Sequence, residues 1–192
     1  MRVQSIIFDL GQTLIPFALE PIHARVGSDP GTRAAVQTLM VRFERGELDG
    51  EEFQTAMCKM AQLGEGEFLP WWNSIFEPRF LIPETWIREL LGRYRCGVLS
   101  NTNVTHFAYL QEAYPLLGAF AFRILSHEAG AVKPEARIYE AAEAAAQCPP
   151  GAILYFDDVA QFVAAAGARG WQAHQFHGPE TVLEALPELR TV

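Results

Sequence analysis

Asp9 follows the segment SIIF at 5–8, apolar over Ile6, Ile7 and Phe8, and is itself followed by Gly11 and Thr13. Such a short run of branched and aromatic side chains reads as a buried β-strand. In an open parallel sheet, ligands bind just beyond the carboxyl ends of the strands. A strand that delivers Asp9 to that edge therefore presents a reactive carboxylate. Taken alone, the same residues would also suit an Asp capping a turn.

Three later segments repeat the design. CGVLSNTN at 96–103 places the Ser100 hydroxyl and the Asn101 amide after a short strand, and ILYFDD at 153–158 places Asp157 and Asp158 after another. Between them, VKPE at 132–135 sets Lys133 just before a helix expected to open at Pro134, a residue favoured in the first turn. Singly, a Ser-Asn turn, a Lys-Pro loop and an acidic turn are all ordinary. In the chain order Asp, Ser, Lys, Asp-Asp they resemble the four motifs of the haloacid-dehalogenase-like (HAD) hydrolase superfamily. LSNTN, KPEARIY and FDD are similar to its sugar-phosphatase branch with a small helical cap, of the glucose-1-phosphate type.

The resemblance implies a Rossmann-like α/β fold with a parallel sheet in the order 3-2-1-4-5 and a helical cap inserted after strand 1. It implies Asp9 as nucleophile and Lys133 as the cation shared between Asp9 and a phosphate. Ser100, the Asn101 backbone N–H and Lys133 would hold phosphate oxygens. Asp9, Asp158 and the Gly11 carbonyl would ligate Mg²⁺, with Asp157 behind them. Three neighbouring carboxylates would repel without a cation among them, and oxygen ligands suit Mg²⁺. The activity implied is a Mg²⁺-dependent phosphohydrolase acting on a small phosphorylated metabolite, a sugar phosphate being one candidate, through an aspartyl-phosphate.

Gly11 departs from the pattern. Most phosphatases of the superfamily carry a second Asp there as general acid and base, a function worth about 10²–10⁴-fold in rate. Glycine has no side chain for that work, though it permits a positive φ. Glu20, His23 and His106 are the candidate substitutes for proton transfer. Gly11, with Gln161 and Phe162 where relatives have Asp or Asn, also fits a phosphate-binding protein without catalysis. A metal-independent 2-haloacid dehalogenase tolerates Gly11 but has small neutral residues where this chain has Asp157 and Asp158.

The elements needed to position these groups are legible as patterns. Strand-like runs fall at 3–8, 97–99, 122–125, 152–156 and 172–176. Trp86, Ile87, Leu90, Leu91 and Tyr94 recur at helical spacing, and further helices are expected over 134–147, over 160–168 and from Pro179. Strands alternating with helices argue for a parallel sheet with right-handed crossovers. Residues 16–82 break the alternation with Val36, Leu39, Met40 and Phe43, then Phe53, Met57 and Met60, at helix spacing. A core domain of 1–15 and 83–192 is therefore expected, with 16–82 as the cap. The aromatic stretch 68–76 suits packing between the two as well as a face toward substrate.

Composition narrows the partners. The chain has 192 residues, 49% of them apolar, enough for one core and a modest insertion. Cys58, Cys96 and Cys148 show no metal-ligand spacing and read as reduced thiols. A net charge of −8 without a basic cluster argues against nucleic acid. No apolar run approaches the roughly 20 residues of a membrane span. A cytoplasmic monomer or homodimer binding a small phosphate ester is the expectation.

Overall fold

The computed structural model describes residues 1–191 apart from Ser28 and Glu65. Five strands, β1 (Ser5–Phe8), β2 (Arg95–Ser100), β3 (Phe122–Leu125), β4 (Ile153–Asp157) and β5 (Gln172–Gln175), form one parallel sheet in the order β3-β2-β1-β4-β5. The expected order is thus observed, and the strand runs were legible to within two residues at most ends. β1 lies between β2 and β4, with Phe8 in register with Val98 and Phe156. The exits of these three central strands therefore converge.

Alternation of side chains builds the layers. Ile6, Phe8, Val98 and Phe156 face one side, against α5 (Glu84–Arg93), α6 (Val104–Ala113) and α10 (Pro179–Ala185). Ile7, Leu99 and Tyr155 face the other, against α8 (Ala136–Ala146) and α9 (Ala160–Ala168). Phe8 stacks on Phe156 at 5.3 Å, and burying an aromatic ring of this kind contributes about 1.5–3 kcal/mol. Being covered on both faces, the central strands read as unbroken apolar runs.

The break in the alternation is four helices: α1 (Glu20–Val26), α2 (Pro30–Glu44), α3 (Gly50–Ala61) and α4 (Phe68–Asn73). Asp49 opens α3 with a reciprocal capping box to Glu52, and Asp29 caps α2 through Thr32. Their apolar stripes meet in a separate cluster of Ile22, Val36, Phe43, Phe53, Phe68 and Trp72, with Phe43 stacked on Phe53 at 4.1 Å. A short helix, α7 (Ser126–Ala129), follows β3. One expectation is corrected: the helix after Lys133 begins at Ala136, not Pro134, and the Lys133–Pro134 peptide bond is cis. No helix among the described residues is long and apolar enough to cross a membrane.

Candidate active site

Asp9 leaves β1 with its N–H still bonded to Phe156 O at 2.9 Å, so the ladder itself aims the residue at the sheet edge. Asp157 is the last residue of β4, and Asp158 follows it. One oxygen from each of the three carboxylates lies within 4.8 Å of the others. The side chains of Lys133, Asp9 and Asp157 are 1%, 10% and 0% exposed.

Lys133 enters this cluster from the loop ahead of α8. Its Nζ is 2.8 Å from Asp9 Oδ1 and 2.6 Å from Asp157 Oδ2, and it also donates to Leu99 O at 3.2 Å. The ring of Phe162 lies 5.0 Å from the ammonium and the Tyr155 hydroxyl 3.4 Å from it. The loop is held by Asn101, whose Oδ1 accepts from Lys133 N–H at 2.7 Å while its Nδ2 donates to Lys133 O at 3.3 Å. The Asn101 side chain thus fixes the lysine's backbone. Ser100 Oγ is buried beside it, with only a long 3.5 Å contact to Asn101 O.

The three carboxylates are unequal. Asp157 has both oxygens engaged: Oδ2 by Lys133 and the Tyr155 hydroxyl, Oδ1 by Val159 N–H at 2.8 Å. Among the described residues nothing donates to Asp9 Oδ2, and no residue other than Asp158 itself donates to the Asp158 carboxylate. Burial pushes Asp9 up to about 7, against the pull of Lys133 and with help from Asp157 and Asp158. Burial and then Asp157 raise Asp158 as well. Burial alone would lower Lys133, but Asp9 and Asp157 more than offset it and hold the amine charged. Burial, then Asp157 and Asp9, also raise Tyr155, which stays a neutral phenol that donates.

A cavity of about 80 Å³ lies between the helical insertion and the sheet edge, beside Leu10 and Gly11 after Asp9 and beside Ser100 and Asn101; Lys133 and the three carboxylates are not among its lining residues. Gly11, Phe17, Glu44, Ser100, Asn101 and His106 are among its lining residues. Gly11 does not have a positive φ; its constraint is steric. A Cβ there would lie 2.7 Å from Phe17 Cε1, so a phenyl ring occupies the space a second carboxylate would need. The positive φ belongs to the next residue, Gln12, at 54°.

His106 is corrected as a proton carrier. Its Nε2–H donates to Trp72 O at 3.1 Å and its Nδ1 accepts from Asn103 Nδ2 at 3.1 Å, while the ring stacks on Trp72 at 4.4 Å. Both nitrogens are committed, and burial pushes the imidazole down to about 4. Glu20 is exposed, and neither it nor His23 lines the cavity.

Glu44 was not legible as a site residue. It is the last residue of α2, half-buried in the cavity wall, with no hydrogen-bond or ion-pair partner for its side chain among the described residues. Burial pushes it up to about 7, opposed by Lys133 and reinforced by Asp9. The only hint in the sequence is an acid at the negative end of a helix, where a base is the favoured choice.

No family model matches the chain. Among solved structures it resembles a HAD family enzyme from Bacteroides thetaiotaomicron, with a TM-score of 0.80 at 21% identity, over 96% of this chain and 98% of that one. The chain has the fold of the HAD-like hydrolases. That enzyme has also been solved in complex with magnesium and inorganic phosphate, and this form matches with a TM-score of 0.79 at 21% identity, over 96% and 99% of the two chains. A protein described as a predicted HAD-like family hydrolase from Porphyromonas gingivalis matches at 0.78 and 23% identity over 100% of both chains. A 2-haloacid dehalogenase from Pseudomonas syringae pv. Tomato DC3000 shares the HAD-like fold at 0.64 and 17% identity, over 97% and 99%.

Proposed function

We propose that the chain is a HAD-superfamily phosphohydrolase that requires Mg²⁺ and acts on a small phosphate ester through an aspartyl-phosphate on Asp9. The observation that carries this reading is the single buried ammonium of Lys133 set between Asp9 and Asp157, with Asp158 beside them. One positive charge facing three carboxylates leaves the cluster short of cation. The donor set fits Mg²⁺: among the described residues, Asp9 Oδ2 and Asp158 are the carboxylate groups that no other residue donates to, whereas Asp157 is saturated. Asp9 and Asp158 are accordingly assigned as ligands, the resemblance to the HAD hydrolases adds the Gly11 carbonyl, and Asp157 supports Lys133 instead. When bound, the ion neutralises phosphoryl oxygens and keeps Asp9 ionised.

The chain's own groups then divide the work. The Asp9 carboxylate attacks phosphorus in line with the leaving oxygen. Lys133 stabilises charge on the transferring phosphoryl group from a position already held by Asn101 and Asp157. Ser100 Oγ, without a strong partner of its own, and the Asn101 N–H hold the remaining phosphate oxygens. Residues 16–82 act as a cap whose inner wall, with Phe17 and Phe76, excludes water. Cytoplasmic location belongs to the same reading.

A second reading, phosphate binding without turnover, is favoured by one observation: Phe17 fills the space beside Gly11. A panel of phosphate esters, sugar 1-phosphates among them, assayed with and without Mg²⁺ decides between the two. Mg²⁺-dependent release of phosphate that disappears in Asp9→Asn supports the enzyme. Phosphate binding with no turnover of any ester supports the binding protein.

A further inference from the structure

Gly11 leaves the proposed reaction without a proton donor, and the cavity offers one ionisable side chain that no other interaction uses. Glu44 sits in its wall with Gly11, Ser100 and Asn101. Its place is set from both sides. Arg45, the next residue, forms an ion pair with Glu135, two positions beyond Lys133. Gly46 follows at φ +69°, where a Cβ would lie only 2.7 Å from His127 O, so the chain leaving α2 is pressed against the core. These two contacts hold the end of α2 over the sheet edge and leave Glu44 directed at the cavity.

The surrounding charges are few. Lys133 and Asp9 act on Glu44 from the core. His106, across the cavity, is neutral. On its own element Arg45 is committed to Glu135, and Arg42 pairs with Glu47. Burial, outweighing Lys133 and aided by Asp9, pushes the carboxyl up to about 7. The carbonyl end of α2 disfavours its charged form further. An acid with a pKa near working pH serves as both donor and acceptor.

We propose that Glu44 is the general acid and base of this site, replacing from the helical insertion the carboxylate missing at position 11. This rests on the phosphohydrolase reading. In the first step Asp9 oxygen bonds to phosphorus, the bond from phosphorus to the leaving oxygen breaks, and the Glu44 carboxyl proton passes to that oxygen, releasing an alcohol. In the second, a water oxygen bonds to phosphorus, its proton passes to the Glu44 carboxylate, and the phosphorus–Asp9 bond breaks. Phosphate leaves, Asp9 is a carboxylate again and Glu44 is again protonated.

The test is pre-steady-state kinetics of Glu44→Gln with saturating Mg²⁺ on esters of graded leaving-group pKa. An aryl phosphate needs no proton to leave. The variant should therefore give a burst of about one phenol per protein and then turn over slowly, with phosphoryl-Asp9 accumulating. Alkyl phosphates should show no burst and a loss of about 10²–10⁴-fold. Glu44→Asp should restore part of the alkyl rate. Independently, ¹³C NMR of labelled glutamate in the metal-free protein should show one carboxyl titrating near 7 that disappears in Glu44→Gln. Unchanged kinetics, a uniform loss across the series without a burst, or a Glu44 carboxyl with an ordinary pKa would overturn the proposal. Absence of wild-type turnover on every ester would instead overturn the phosphohydrolase reading, and the proposal with it.

Discussion

Lys133 Nζ stands 2.6 Å from Asp157 Oδ2, and both side chains are excluded from water. Asp157 is itself pinned by Val159 N–H and the Tyr155 hydroxyl, so the strand end dictates where the ammonium sits. Removing one partner of a buried pair leaves the other uncompensated, at a cost of about 3–5 kcal/mol. Asp157→Asn is therefore expected to lower metal-free stability by roughly that amount in urea unfolding. A loss below about 1 kcal/mol would show that Asp9 alone can hold the lysine.

Asp9→Asn should abolish turnover while preserving the fold. Its effect on stability depends on pH. Asp9 rises from 3.8 to about 7 on folding, so between those values the folded state binds the extra proton. Its contribution to stability is complete below about pH 4 and is lost as pH rises through 7. The neutral amide escapes that loss. In metal-free protein the advantage of Asp9→Asn over wild type should grow from pH 5 to pH 8 by on the order of 2 kcal/mol. An advantage independent of pH would mean that Asp9 is ionised throughout.

Gly11→Asp alone should fail for steric reasons. The new Cβ meets Phe17 Cε1 at 2.7 Å, and forcing extra atoms into a packed site costs about 1–3 kcal/mol. Combining it with Phe17→Ala should recover stability lost to the clash. If the double variant melts no higher than the sum of the two single effects predicts, the ring is not what excludes a side chain at 11.

Arg45→Met should change global stability little, because the pair with Glu135 is about one-third exposed and such pairs contribute about 0.2–1 kcal/mol. It should nevertheless reduce kcat/KM several-fold by loosening the end of α2. The exchange Arg45→Glu with Glu135→Arg should restore much of the loss. No recovery in that double variant would argue against the ion pair as the relevant contact.

The sheet was legible because its central strands are apolar on both faces, and Asp9, Ser100, Lys133, Asp157 and Asp158 were legible because each stands at a strand exit or loop. What escaped was the wiring between them. The Asn101 side chain is 32 residues from the backbone it clamps, and Arg45 is 90 residues from Glu135. Phe17 matters only because the chain turns back over Gly11, which leaves no periodic signal. Glu44 lies on a helix that reads simply as apolar-faced, and only the packing of that helix on the core brings its last residue to the cavity.

The two sides of the helical insertion are fastened by different physics. Near its junctions with the core, Trp72 stacks on His106, and Phe76 lies edge-on to His106 and stacked on Tyr109, at 4.4, 4.9 and 6.0 Å. At the far side the half-buried ion pair of Arg45 with Glu135 ties the end of α2, beside the packing of Gly46 on His127. Dissolved salt weakens the second kind of bond more than the first. Raised ionic strength should therefore loosen the α2 edge of the insertion before the aromatic edge.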